Sequence, residues 1–460
     1  MGYEKNEKYD VVVVGAGTGG CLAAKTVADA GLTACLIDRK RREDVGEKIC
    51  GDAVGKHHFD NLKLAYPTGK ELERRMTGVR IYSPDMRTVF DVRGEGLEGF
   101  IVNRRLFGQR LLKSAIDAGA TFFESTQAVE PLLKDGFVHG VLTKNLKTER
   151  KVTFFGQAVI DASGYSAVLR KKLPSEIGVE TNVNEEDVEL CYREIRELKK
   201  EVDDPDFCEI YLNQTTAPGG YSWIFPEGGA KVNVGLGVAM AKGFPNPKNQ
   251  LYENVLSQPL FEGSSVVNAG TWYDPTRRPI DCMVGNGILI VGDAACQVNP
   301  IHGGGIGPSM TAGFLAGETV IEALKNADVS QERLWPYNVK YIRSYGTKQA
   351  GLDVFRMFLQ KGISDEDLNH GMRYRLITEE DLLKAALGGE ARLNITEKTV
   401  RIFRGLRRLR VLKKLRDAAN LMKRVRQHYR NYPTSPKELD EWKVKTRLLI
   451  EEASRWRKAK

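Results

Sequence analysis

Residues 9–38, YDVVVVGAGTGGCLAAKTVADAGLTACLID, carry the reading on which the fold depends. The stretch 9–14 is a β-branched run without polar alternation, the pattern of a parallel strand buried on both faces. Glycines follow at once at positions 15, 17 and 20, and then a helical stretch over about 21–30. In that setting G-x-G-x-x-G has a mechanical meaning. Gly15 allows a tight turn, Gly17 lets a pyrophosphate approach the backbone, and Gly20 lets the helix pack close to the strand, with phosphate charge at the helix N-terminus. The next strand, 34–37, ends in Asp38, where a carboxylate can hold a ribose 2′-hydroxyl. Adenine-dinucleotide binding is the expectation, and a glycine-rich structural turn is its alternative.

NAD and FAD share this fingerprint, so the choice rests on segments further along. In GILIVGDAACQVNPIHGGGIGPSM, residues 287–310, a strand runs into Gly292 and Asp293, which can approach a ribityl chain. The amides of Gly304, Gly305 and Ile306 can then open a helix toward an anionic ring. In VNRRLFGQRLL, Arg104 starts a helix and suits a pyrophosphate contact; AVIDASGYSAVLR ends another strand in a glycine turn with Ser166 and Arg170.

Length and composition bound the rest. The 460 residues allow two to four domains, and 42% hydrophobic with 28% charged residues is globular. No apolar run reaches the ~18–20 residues of a membrane helix, and MGYEKNEKYD lacks a signal peptide's apolar core, so a cytoplasmic protein is expected. The seven cysteines form no C-x-x-C pair and the six histidines no H-x-x-x-H spacing. A reducing compartment and no metal site follow, and the chemistry needs an organic cofactor.

Between residues 177 and 282, strand-like alternation includes APGGYSWIFP. A period of two sends Tyr221, Trp223 and Phe225 to one face and Ser222 and Ile224 to the other, an aromatic wall that lines either a core or a pocket. Pro218 and Pro226 frame it. The loop KICGDAVGKHH, residues 48–58, offers Cys50, whose thiol Lys48, His57 and His58 could activate if folded together; a buried structural cysteine is the other reading. His57, His58 and His302 are candidate proton donors.

Together these residues resemble known families. The first glycine motif, the Arg-led helix, the Asp turn and the late Gly-Asp segment occur in the order found in the FAD-dependent para-hydroxybenzoate hydroxylase superfamily. One departure is Ala162-Ser163-Gly164 in place of the monooxygenases' Asp-Gly pair, which argues against stable NADPH docking. P-x-x-Y-x-W-x-F-P and the Cys50-Gly51-Asp52 loop resemble marks of the archaeal geranylgeranyl reductase family. The resemblance implies FAD, held at Gly15, Gly17, Gly20, Asp38, Cys50, Gly51, Ala53, Arg104, Ala128, Gly292, Asp293, Gly304, Gly305 and Ile306. It implies a prenyl-lipid substrate against Pro218, Tyr221, Trp223, Phe225 and His302, with Cys50, Tyr221 and Trp223 catalytic. The rivals are an aromatic-ring monooxygenase and a flavin-bearing lipid carrier without turnover. The electron donor stays open between a reduced ferredoxin-like protein and a small reductant.

The expected architecture is α/β: a discontinuous Rossmann-type FAD-binding domain (1–75, 103–176 and 283–330), an antiparallel β-sheet substrate domain (76–102 and 177–282) and an α-helical C-terminal region (331–460). Residues 401–460 carry a net charge of +14 within a total of +9. Over 399–430, Ile402, Leu406, Leu409, Leu412, Leu415, Ala419, Met422 and Val425 make an amphipathic stripe among cations. That pattern suits either an anionic membrane surface or packing on the protein's own core; no nucleic-acid motif accompanies it. The pocket beyond Tyr221 is expected to draw on Phe355, Met357 and Phe358.

Overall fold

The computed structural model of the chain describes residues 5–94, 96–241, 243–386 and 409–456. The β-branched run forms the strand Lys5–Val14, whose Val11, Val12 and Val13 are wholly enclosed. Ala34–Ile37 and Lys151–Asp161 flank it in parallel. Thr121–Phe123 extends the sheet on one side and Ile288–Ile290 on the other, again in parallel. Burial of both faces is what an unalternating valine run demands, and helices supply the cover. Thr126–Lys134 and Phe137–Asn145 add an antiparallel pair to Lys151–Asp161.

The first covering helix, Thr18–Asp29, begins three residues earlier than its periodicity suggests. Thr18, Gly19 and Gly20 are small enough for helical backbone to lie directly on the turn before it. A Cβ at Gly20 would sit 1.8 Å from the Gly15 carbonyl oxygen. The helix Ile306–Lys325 crosses it equally closely, since a Cβ at Gly313 would meet the Gly19 carbonyl oxygen at 2.0 Å.

A second sheet has seven strands in the order Ser265–Asp274, Glu189–Glu197, Lys231–Ala239, Ser222–Pro226, Phe207–Tyr211, Gly78–Tyr82 and Val89–Arg93. Its pairings are antiparallel except for Phe207–Tyr211 with Gly78–Tyr82. One face buries Ile224, Val234 and Leu236 with Leu251 of the helix Pro247–Asn254. The other face looks back toward the nucleotide layer. The stretch 99–102, grouped by sequence with this sheet, instead pairs with Ala53–Gly55 and Leu72–Met76 in a three-stranded sheet that bridges the two layers.

For the basic tail the structure shows the packed alternative. Its described part is the helix Leu409–Arg430, and the expected stripe residues before 409 lie outside the described residues. Val411, Ala418, Leu421, Val425 and Tyr429 are its buried apolar positions, with Arg426 and His428 also buried, while Ala419 is exposed. The apolar face is packed within the helical region, beside Thr347–Lys361 and Leu439–Ser454, so it is not available to lipid. Arg410, Lys413, Arg416, Lys423, Arg424 and Arg430 remain exposed. Among the described residues no helix is long and apolar enough to cross a membrane.

Gly313→Ala forces the two glycine-packed helices apart. We expect a loss of about 1–3 kcal/mol of stability, read as a lower urea midpoint, together with reduced flavin content.

Candidate functional site

A cavity of about 810 Å³ lies between the nucleotide layer and the inner face of the seven-stranded sheet. Its nucleotide end is built by the glycine turn. Gly15 sits at φ +103°, and a Cβ there would strike the Ala162 carbonyl oxygen at 2.3 Å, so only glycine serves. Gly17 has nothing within 4 Å of its missing Cβ and presents open backbone to the cavity. The helix that follows has no side-chain cap, which leaves its first amides for an anion. Asp38 accepts from the amides of Ala16 (2.7 Å) and Lys40 (2.8 Å), so it holds the turn with lone pairs to spare.

Arg104 supplies the direct test of fit. It lines the cavity at the start of Arg104–Asp117, and its Nε and Nη1 are buried without a partner. A buried guanidinium is stable only with an acceptor, and a pyrophosphate is of the right charge and shape. Ala128 lines the adjoining wall. At the other end, Gly292 and Asp293 border the cavity, and Lys48 Nζ lies 2.7 Å from Asp293 Oδ2. The helix Ile306–Lys325 opens after Gly305 without a side-chain cap, aiming its positive end into the space. A dinucleotide phosphate site and a positive helix end meeting in one cavity fit FAD. Gly20 does not line the cavity, because it packs beneath the turn. Ser166 lines it, whereas Arg170 is turned away, holding the carbonyls of Glu180 and Thr181 at 2.8 Å each.

The opposite wall is aromatic. Tyr221, Trp223 and Phe225 all border the cavity, with ring centroids 5.9 and 6.2 Å apart in succession, while Ile224 joins the core on the far face. Gly235 makes room for the Trp223 indole, whose ring a Cβ would approach to 2.5 Å. The Tyr221 hydroxyl donates to the His302 carbonyl (2.8 Å), tying this wall to the loop that opens the Ile306 helix. Pro218 lies outside the cavity lining; its carbonyl accepts from the Ala239 amide and fixes the turn. The cavity is also lined by Met76, Val79, Ile81, Val92 and Ile210, and by Phe355. Phe358 instead packs with Leu368 and Ala418, and Met357 does not line this cavity.

The Cys50 loop lies flat on the aromatic wall, where a Cβ at Gly51 would come 2.9 Å from the Phe225 ring. Behind it runs a buried polar network that sequence reasoning missed. The Cys50 carbonyl accepts from Arg193 Nε (3.1 Å) and Asn233 Nδ2 (2.9 Å). Asn233 also reaches Asp52 (3.1 Å) and accepts from the Trp223 indole (3.0 Å), and Arg193 lies 3.5 Å from Asp52. Asp52 holds a left-handed φ of 60° and lines the cavity beside Gly51 and Ala53.

Burial works against activation of the thiol and against protonation of the imidazoles. Burial and the neighbouring Asp52 push the Cys50 thiol up to about 11, against the opposing pull of Arg104 and Lys48. Cys50 is therefore protonated at neutral pH, and Lys48 is engaged by Asp293. Burial also lowers the imidazoles: His302 to about 4, and His58, which contacts the Tyr345 hydroxyl at 2.8 Å, well below its ordinary value. His57 shifts the same way. Neutral imidazoles hold no imidazolium proton to give at pH 7.

Against this geometry, known proteins align over nearly the whole chain. The family model for the geranylgeranyl reductase catalytic domain matches residues 187–271, and that for FAD dependent oxidoreductases matches 10–228. The digeranylgeranylglycerophospholipid reductase of Sulfolobus acidocaldarius is 41% identical over 441 residues, 95% of this chain and 96% of its own. That of Methanothrix thermoacetophila is 33% identical over 84% of this chain and 95% of its own. Among solved structures, a geranylgeranyl bacteriochlorophyll reductase-like protein from Thermoplasma acidophilum superposes with a TM-score of 0.75 at 24% identity, covering 90% of this chain and 100% of its own. The flavin-dependent brominase Bmp2 gives 0.66 at 17%, covering 89% and 100%. Both solved structures speak to the fold alone.

Arg104→Ala removes the buried guanidinium facing the glycine turn. We expect the Kd for FAD, measured by flavin fluorescence quenching, to rise about 10-fold or more, as the loss of a charged hydrogen bond implies.

Proposed function

The chain belongs to the family of digeranylgeranylglycerophospholipid reductases, FAD-dependent geranylgeranyl reductases, and from that premise we propose that it saturates C=C bonds of geranylgeranyl chains in precursors of archaeal membrane ether lipids. Digeranylgeranylglycerophospholipids are the main substrates and geranylgeranyl diphosphate a further one. The observation that carries this reading is the continuity of one cavity, in which the nucleotide-binding turn and an apolar, aromatic-walled passage share the same space.

Bound FAD, once reduced, supplies the hydride. The protein's own residues deal with a harder problem. An isolated trisubstituted double bond has no carbonyl to polarise it, so direct hydride addition would build an unstabilised carbanion. Protonation first gives a tertiary cation. The faces of Tyr221 and Trp223 stabilise such a cation by about 2 kcal/mol in a water-excluded pocket. Asn233 holds the Trp223 indole and the Tyr221 hydroxyl holds the His302 carbonyl, so neither ring needs to reorganise as charge develops. Cys50, protonated and with its carbonyl held by Arg193 and Asn233, lines the passage beside the aromatic wall. Ala162-Ser163-Gly164, in place of an Asp-Gly pair, supports a reductase over an NADPH-dependent monooxygenase.

The electron donor in this reading is a reduced ferredoxin-like protein or a small reductant. The exposed cations of Leu409–Arg430 attract the anionic inner face of the membrane, each adding about 1 kcal/mol, so the protein works as a peripheral surface enzyme. Insertion of that helix is excluded from the reading by its buried apolar face.

Anaerobically reduced protein mixed with a geranylgeranyl lipid is expected to reoxidise its flavin and yield saturated product. Trp223→Ala should slow that step by up to about 30-fold, the equivalent of the cation stabilisation supplied by the two rings together. Reduced flavin that stays reduced in the presence of the lipid contradicts the reading.

A further inference from the structure

We propose that Glu189, with Asp274 as its partner carboxyl, is the acid that protonates the prenyl double bond. The inference rests on the substrate reading above and adds to it the proton donor that reading requires.

The placement follows from strand register. Glu189 and Asp274 are direct partners on the antiparallel strands Glu189–Glu197 and Ser265–Asp274. Directly opposed residues project from the same face of a sheet, and here that face is the cavity wall, which both line. The next partners along are Cys191 and Trp272, with Gly237 facing Cys191 from the third strand. Gly237 is what admits the carboxyl to this place, because a Cβ there would lie 3.1 Å from both Glu189 Oε2 and Cys191 Sγ. Glu189 Oε2 also stands 3.6 Å from where a Cβ of Gly220 would be, immediately before Tyr221. The carboxyl thus reaches the edge of the aromatic wall, beside a ring that would receive the cation.

Its surroundings keep it neutral. Glu189 is buried and, among the described residues, forms no ion pair. The groups facing it are Asp274, which Cys191 Sγ approaches to 3.9 Å, the Tyr221 phenol and the Thr276 hydroxyl. Lys48, bound to Asp293, pulls Asp274 toward its charged form, against its burial. Arg356, on the helix Thr347–Lys361, is held by Asp187 (2.6 Å) and Asp353 (2.7 Å). Burial and then Asp274 raise Glu189 to about 8, and burial raises Asp274 to about 7. Two facing carboxyls in a dry cavity do not both ionise, so the pair retains a proton at neutral pH.

Other candidates in the cavity fail by comparison. Burial leaves the Cys50 thiol and the Tyr221 phenol holding their protons too tightly. The three histidines are neutral, and Asp52, which burial raises to about 7, faces the Arg193 guanidinium at 3.5 Å, a cation that favours its charged form, whereas Glu189 has no cation at such a distance among the described residues. In the step itself the Glu189 O–H bond breaks and its proton goes to the less substituted alkene carbon. The π pair becomes the new C–H bond and leaves the tertiary carbon positive. That carbon then accepts a hydride, with both its electrons, from reduced FAD, which is thereby oxidised. The Glu189 carboxylate is reprotonated through Asp274.

The test uses flavin-loaded full-length protein in two arms. Glu189→Gln, reduced with dithionite and mixed anaerobically with geranylgeranyl diphosphate, should reoxidise about 100-fold more slowly or worse, with flavin content, dithionite reduction and lipid Kd unchanged. Glu189→Asp should keep part of the rate and displace the alkaline limb of its pH profile, along which wild-type reoxidation falls as the pair deprotonates. Independently of any lipid, infrared spectra at neutral pH should show a protonated-carboxyl stretch in the wild type that Glu189→Gln loses. Reoxidation of Glu189→Gln at the wild-type rate overturns the proposal, as does a wild type with no protonated carboxyl. A wild type with that band intact but inert toward the lipid overturns the substrate reading, and the proposal with it.

Discussion

The carbonyl oxygen of Cys50 is where the two halves of the molecule are pinned together. It accepts from Arg193 and Asn233, two buried side chains of the seven-stranded sheet, while its own loop runs along the nucleotide layer. The same Asn233 fixes the Trp223 indole and contacts Asp52, so one amide sets the distance between loop, wall and acid. Buried networks of this kind are strongly cooperative, because a donor stripped of its acceptor in low dielectric is costly. That explains why Asp52 can persist in a left-handed conformation: the surrounding bonds over-determine it.

With that joint fixed, the cavity acquires two chemically different ends. The nucleotide end is made of backbone: open amides at the two uncapped helix starts, a glycine turn that no side chain could enter, and one buried guanidinium. The substrate end is made of rings and aliphatic side chains, arranged by a period of two and cleared by Gly235 and Gly237. The Tyr221 to His302 bond crosses between them. A hydride donor that needs phosphate recognition and an acceptor that needs dryness can then meet without either environment compromising the other. The carboxyl pair Glu189 and Asp274 occupies the third side, where burial keeps a proton in an otherwise apolar space.

Much of this was legible because local signals agreed. The valine run, glycine spacing and Asp38 defined the parallel sheet and its turn, and Arg104 announced itself by starting a helix next to them. The inward set Tyr221, Trp223 and Phe225 followed from strand periodicity alone. What could not be read depended on register between distant strands. Glu189 and Asp274 stand 85 residues apart and become partners only through pairing of their strands. Arg193 and Asn233 gave a faint signal, polar residues at inward positions of strands, but nothing in the sequence said that both would seek the Cys50 carbonyl. Burial of the Cys50 thiol beside Asp52 was equally hidden, because it depends on the sheet that closes over the loop. The amphipathic tail left two readings open for the same reason: an apolar stripe states that it will be covered, not by what, and here neighbouring helices cover it.

The central claim is that one protein binds FAD and a long prenyl chain in a single continuous space. Mass spectrometry of the ligands released from purified, unsupplemented protein tests it most directly. FAD together with a lipid bearing C20 prenyl chains is expected, at comparable amounts. A colourless protein that releases neither, and takes up no added flavin, would contradict it.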